Sequence, residues 1–208
     1  KGTGDAILKC RKYIKDKFFL MLLPDDLIIN KNCSKEMINL HKRTKASIIA
    51  TKRVDKKTVS RWGILAFTEK RKNFFRIKDV IEKPSSKQAP SNYAIIGRYI
   101  LPSKIFSEIK NLKPGQGEEI HITDAIKNLI YRGENFFGNI FMGKYLDCGT
   151  INGYIQSSIK IFKGHSIKNL LKATILIVGT FLICWLIYHL IILKIKPLHP
   201  LFGLKKGI

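Results

Sequence analysis

Strand-length apolar runs alternate with helix-length stretches along most of this chain, and that order restricts the fold more than any single residue does. The runs at 18–23, 47–51, 63–67, 93–101 and 136–142 have the length and bounding residues of strands, and the stretches at 5–14, 35–45, 103–112, 122–131 and 152–162 fit helices. Such alternation predicts a three-layer α/β sandwich. With 208 residues and 45% hydrophobic content, there is enough material for one core and an appendage. Open α/β sheets bind ligands beyond the ends of their strands, so polar residues placed just after an apolar run are the first candidates for a site.

Two acids hold that position. Asp25 follows the run at 18–23, and Asp147 follows the run at 136–142 after a short loop. A pair of carboxylates far apart in sequence suits Mg²⁺, which takes one or two protein carboxylates, keeps several waters and leaves its other positions to substrate phosphates. Taken singly, each acid also has a plain structural reading: Asp25 and Asp26 as a turn, and Asp147 as the cap of the helix that begins near Asn152. The loops at 84–90 and 113–117 carry the proline, glycine and serine that end regular structure.

The net charge of +23 raises the question of nucleic acid, but the lysines are scattered through every segment. No Arg-rich stripe, no interleaved aromatic RNA-binding motif and no zinc-finger spacing occurs, so specific nucleic-acid binding is not expected. The five histidines, His41, His121, His165, His189 and His199, show no ligand spacing. Cys10, Cys33, Cys148 and Cys184 form neither a CxxC pair nor a disulfide framework, which fits a reducing compartment. Cys148, beside Asp147, reads as a small structural residue.

Beyond Lys172 the character of the chain changes. Residues 173–193 run for twenty-one positions without a formal charge, long enough to span a bilayer core, with Lys168 and Lys172 on one side and Lys194 and Lys196 on the other. The expected division is therefore a domain over 1–164 and a basic linker with an apolar tail over 165–208, its candidate transmembrane helix at 173–193. Lysines flank both ends, so they do not set an orientation.

Five short signatures stand in one order: Leu23-Pro24-Asp25-Asp26, Ile81-Glu82-Lys83-Pro84, Ser91-Asn92-Tyr93-Ala94, Glu119-Ile120-His121-Ile122-Thr123-Asp124 and Asp147-Cys148-Gly149-Thr150. The ordered set, with Lys1-Gly2-Thr3-Gly4-Asp5-Ala6 ahead of it, resembles the central and C-terminal part of the bacterial UTP glucose-1-phosphate uridylyltransferases, which are sugar-phosphate nucleotidyltransferases. The likeness runs to about Gly164. It implies a Rossmann-like nucleotidyltransferase fold with a mixed, mostly parallel sheet that lacks its first strands; the C-terminal hydrophobic helix expected from the uncharged run lies outside the likeness.

The resemblance also implies roles. Asp25 and Asp147 would hold Mg²⁺, and Asp26 would sit beside the sugar. Gly2 would let the backbone approach the uracil ring. Gly63 would contact glucose through its backbone, next to Trp62 where the family usually has tyrosine. Glu82 would accept hydrogen bonds from sugar hydroxyls, and Lys83 would pair with the phosphate of glucose 1-phosphate as a compact point charge. Asp25, Asp147 and Lys83 would thus be the catalytic set. His121 replaces a usual glutamine and reads as a residue at the junction of loop and helix.

The implied reaction forms UDP-glucose and pyrophosphate from UTP and glucose 1-phosphate, and it needs no nucleophilic Ser, Cys or His. A sugar phosphate is already ionised at neutral pH, so positioning and charge neutralisation suffice. The family's glycine-rich loop with its Arg and Lys is not found in these residues, and the chain begins at Lys1 rather than Met. The expectation is a truncated chain, inactive by itself. Two alternatives stand beside it: a noncatalytic membrane-tethered remnant, and a thymidylyl- or cytidylyltransferase relative. The implied location is the cytoplasm, with tethering to the inner membrane face if the tail inserts; whether the chain forms homo-oligomers is left open.

Overall fold

The computed structural model describes residues 2–113 and 119–163, with 174–175, 177–180, 182–183 and 185–186 in the tail. Two compact units separate, Lys1–Gly153 and Tyr154–Ile208. The loop expected at 113–117 lies almost wholly outside the described residues.

Among the described residues of the first unit eight strands form: β1 (Phe18–Leu22), β2 (Asp26–Ile29), β3 (Ser47–Arg53), β4 (Gly63–Thr68), β5 (Phe74–Glu82), β6 (Tyr93–Pro102), β7 (Phe136–Ile140) and β8 (Lys144–Asp147). The helices are α1 (Thr3–Lys9), α2 (Cys33–Thr44), α3 (Ile105–Asn111) and α4 (Ile122–Tyr131), and α5 (Ile151–Lys163) follows. Six strands make one sheet in the order β1-β6-β3-β7-β5-β4, while β2 and β8 pair separately.

The sheet is mixed, as expected, but it is not mostly parallel. Among the described strands β3 and β7 form the single parallel pair, and the remaining neighbours run antiparallel. The cause lies in the connections. A short turn joins β4 to β5, and short turns can join only antiparallel neighbours. Strand β6 then enters between β1 and β3 and runs against both. Strands β2, β5 and β8 are absent from the sequence reading, although β5 alternates buried Phe75 and Ile77 with exposed Arg76 and Lys78.

Strand β3 shows how the three layers arise. Successive side chains of a strand point to opposite faces, so Ile48 and Ala50 pack with Met37 and Leu40 of α2, while Ile49 packs with the cluster containing Ile109 of α3 and Ile126 of α4. Helix α4 presents Ile122, Ala125, Ile126 and Leu129, all buried, at the spacing of a single helical face. Full burial of each such Ile or Leu contributes about 1.5–3 kcal/mol.

The apolar helix expected at 173–193 falls largely outside the described residues. The described positions within it are helical, and Ile175, Leu182 and Trp185 are exposed there. Among the described residues no helix is long and apolar enough to cross a membrane.

Candidate active site

Asp25 stands in the turn between β1 and β2, and Asp147 is the last residue of β8. The two segments are fixed against each other by backbone bonds: β2 pairs with β8 so that Asp26 faces Asp147, and the Cys148 N–H donates to the Asp25 carbonyl at 2.8 Å. This pairing brings two distant acids together. A Cβ added to Gly149 would lie 2.8 Å from Asp25 Oδ2 and 3.4 Å from Asp147 Oδ1, so both carboxylates border one small space that a side chain would fill. The Gly149 N–H donates to Asp147 Oδ1 at 3.0 Å, and Arg61 Nη2 lies 3.1 Å from Asp147 Oδ2. The helix-cap reading of Asp147 gives way to Thr150, whose Oγ1 accepts from the Gly153 N–H at 3.0 Å.

Asp26 is held differently from its neighbour. Its Oδ2 accepts from the Gly97 N–H at 2.6 Å, and its Oδ1 accepts from the Tyr145 hydroxyl. Arg98 donates to the Asp26 carbonyl at 3.1 Å. Burial raises the Asp26 carboxyl above its ordinary range, against the lowering effect of those two donors, and the negative charges of Asp25 and Asp147 raise it further. Tyr145 is also pushed up, first by burial and then by its bond to Asp26. A side chain at Gly97 would run into the Asp26 carboxylate and Leu23, so this close approach requires glycine.

The other wall comes from a register in the β4–β5 pair. Gly63, first in β4, stands opposite Glu82, last in β5. A Cβ at Gly63 would lie 3.2 Å from Glu82 Oε2 and 3.1 Å from a Thr123 methyl. Lys83 follows with φ of 44°, a left-handed conformation uncommon for a residue with a side chain, and its N–H donates to the Trp62 carbonyl at 3.0 Å. His121 is buried at the N-cap position of α4, as the sequence suggested. Gly2 has φ of 114°, and a Cβ there would meet the Ile120 carbonyl oxygen at 2.9 Å.

A cavity of about 330 Å³ gathers these residues. Asp25, Asp26, Gly63, Glu82, Lys83 and Asp147 all line it; Gly2 does not, although its neighbour Thr3 does. Arg61, Tyr145 and Thr123 also line it and were not singled out as site residues in the sequence. Tyr145 lies two positions before Asp147 on β8 and so shares its face, a relation that appears only once β8 is seen to be a strand. Arg61 has only its place before Trp62-Gly63 to mark it.

The arrangement can hold a divalent cation between two carboxylates, a phosphate against lysine and arginine, and hydroxyls against Glu82. Among the described residues no cluster of three His, Cys, Asp or Glu side chains forms a metal cage. The space bordered by Asp25 and Asp147 fits instead an oxygen-liganded cation that is completed by water and phosphate.

Residues 1–164 match the family described as Nucleotidyl transferase. The chain is 40% identical over 161 residues to the UTP-glucose-1-phosphate uridylyltransferase of Pseudomonas aeruginosa, an alignment covering 76% of this chain and 57% of that protein. It is 37% identical over 186 residues to UTP-glucose-1-phosphate uridylyltransferase 2 of Streptococcus pyogenes, covering 86% of this chain and 62% of the other. A solved UDP-glucose pyrophosphorylase complexed with UDP-glucose superposes with a TM-score of 0.75 at 38% identity, over 79% of this chain and 63% of that one. The chain thus spans less than two thirds of the length of these relatives.

Proposed function

Since this chain belongs to the nucleotidyl transferase family, we propose that it forms the metal- and sugar-phosphate-binding part of an enzyme that makes UDP-glucose and pyrophosphate from UTP and glucose 1-phosphate. In this reading Asp25 and Asp147 hold Mg²⁺, which when bound would neutralise charge on the reacting phosphates, that of glucose 1-phosphate included, and on the departing pyrophosphate. Lys83 pairs with the phosphate of glucose 1-phosphate, and Glu82 accepts from sugar hydroxyls. Gly63 leaves room for the sugar beside Glu82, while Asp26, clamped by Tyr145 and Gly97, forms the adjoining wall. Gly2 keeps its assignment to the uracil side, next to the cavity residue Thr3.

The chemistry is a displacement at phosphorus. An oxygen of the sugar phosphate bonds to the α-phosphorus of UTP as the bond to the β-phosphate oxygen breaks. The attacking oxygen is already ionised, so these residues act by orienting it and offsetting charge rather than by removing a proton. One observation carries the proposal: carboxylates from two distant segments border a single space inside a cavity that also holds Glu82 and Lys83.

Calorimetry of the chain with glucose 1-phosphate and Mg²⁺ tests it. Binding is expected to need the metal, and Asp25→Asn or Asp147→Asn should each abolish it while leaving the melting temperature nearly unchanged. Metal-independent binding, or binding indifferent to both substitutions, would overturn the reading. The residues include no glycine-rich cradle for the triphosphate, and removing even one donor to a transition state costs roughly 3–4 kcal/mol. An assay of this chain by itself with UTP is therefore expected to give no UDP-glucose.

A further inference from the structure

Arg61 ends the 3₁₀ turn Lys56–Arg61, directly before Trp62 and Gly63, and reaches into the same cavity. Its guanidinium contacts Asp147 Oδ2, the carboxylate oxygen that the Gly149 N–H does not hold. The carboxylates of Asp25 and Asp147 border one small space, so a cation in this corner offsets the repulsion between two like charges. The Arg61 side chain is nonetheless 55% exposed, and an exposed ion pair shifts an equilibrium only about two- to fivefold. A contact that weak is easily exchanged. A divalent ion carries twice the charge and needs the same carboxylate.

We propose that Arg61 is a displaceable counter-ion of the acidic pair: it neutralises Asp147 in the absence of metal and, once a divalent cation occupies that carboxylate, turns its guanidinium to the phosphate of the bound sugar ester. The inference rests on the acidic pair being the metal site. The planar, bidentate guanidinium suits a phosphate better than it suits a carboxylate shared with a metal. The Trp62 ring, 5.7 Å from the guanidinium carbon, offers a face along which the side chain can swing without losing its packing. Arg61 would then couple the two ligands, its release by the metal preparing the phosphate site.

The test uses the chain as it stands, with two readouts that should move in opposite directions. Free Mn²⁺ is followed by electron paramagnetic resonance during titration, and glucose 1-phosphate binding is measured by calorimetry at saturating Mn²⁺. Arg61→Gln is expected to tighten Mn²⁺ about two- to fivefold and to weaken glucose 1-phosphate about tenfold. Lys83→Gln, which removes a cation of the same cavity, should tighten Mn²⁺ clearly less. Equal tightening by both variants would reduce Arg61 to a through-space charge and overturn the proposal. So would Mn²⁺ affinity unchanged or weakened in Arg61→Gln, or sugar-phosphate affinity left intact. Asp147→Asn separates the two levels: Mn²⁺ binding that is lost in this variant but indifferent to Arg61→Gln overturns the Arg61 inference alone, whereas the absence of any Asp147-dependent binding removes the metal reading itself.

Discussion

The carboxylate of Asp26 is fixed from two sides, and this separates its work from that of Asp25 one position earlier. Bonds from Tyr145 and from the Gly97 N–H occupy both of its oxygens, so it serves as a rigid wall. Tyr145 titrates above its ordinary range in the fold, so the native state keeps a proton that the unfolded chain releases above about pH 10. Stability must then fall as pH rises through that region. Tyr145→Phe removes this contribution: between about pH 9 and 11 its melting temperature should decline less steeply than that of the unaltered chain, as thermal melts at each pH would reveal. Gly97→Ala should destabilise by about 2 kcal/mol or more, since a methyl group there overlaps the Asp26 carboxylate and Leu23 with little room to shift. Urea unfolding measures that loss.

Helix α2, expected from residue 35, carries short-range signals that start it two residues earlier. Asn32 caps its start, accepting from the Lys35 N–H at 3.0 Å, Glu36 lies in the first turn, and His41, Lys42 and Arg43 lie in the last, as the helix dipole favours. Its end is less well chosen. Lys45 closes the helix at φ of 55°, where a side chain is strained and glycine is not. Lys45→Gly is accordingly expected to raise stability by about 1 kcal/mol, seen as a higher urea midpoint with an unchanged slope. Strands β2 and β8 were beyond the reach of such signals. Each has four residues, too few for a period to declare itself, and each exists because the other pairs with it.

The charge of the chain acts on the molecule as a whole. With 38 basic against 15 acidic residues, mutual repulsion opposes compaction, and the excess is spread along the sequence outside the uncharged run at 173–193. Added salt screens that repulsion, since the Debye length falls to about 8 Å near physiological ionic strength. The melting temperature should therefore rise between ~20 and ~300 mM NaCl, and a flat or falling dependence would show that the repulsion is already offset locally. In four of the five ion pairs described, such as Lys104 with Glu134, the basic side chain is more than half exposed, so these pairs contribute little and screening should cost them little by comparison.

Ordered signatures and alternating periods were enough to indicate the α/β class, the family likeness and the acids worth testing. These are local properties: a strand's period, a cap or an acid after an apolar run can be read within a few neighbouring residues. Strand order, the dominance of antiparallel pairing, the β2–β8 ribbon and the approach of Arg61 and Tyr145 to the acids depend on contacts between segments far apart in sequence. Asp25 and Asp147 belong to both categories. Their residue type and position after apolar runs are written in the chain, but the space they share exists because β2 and β8 hydrogen-bond in one register and glycine at 149 leaves it open.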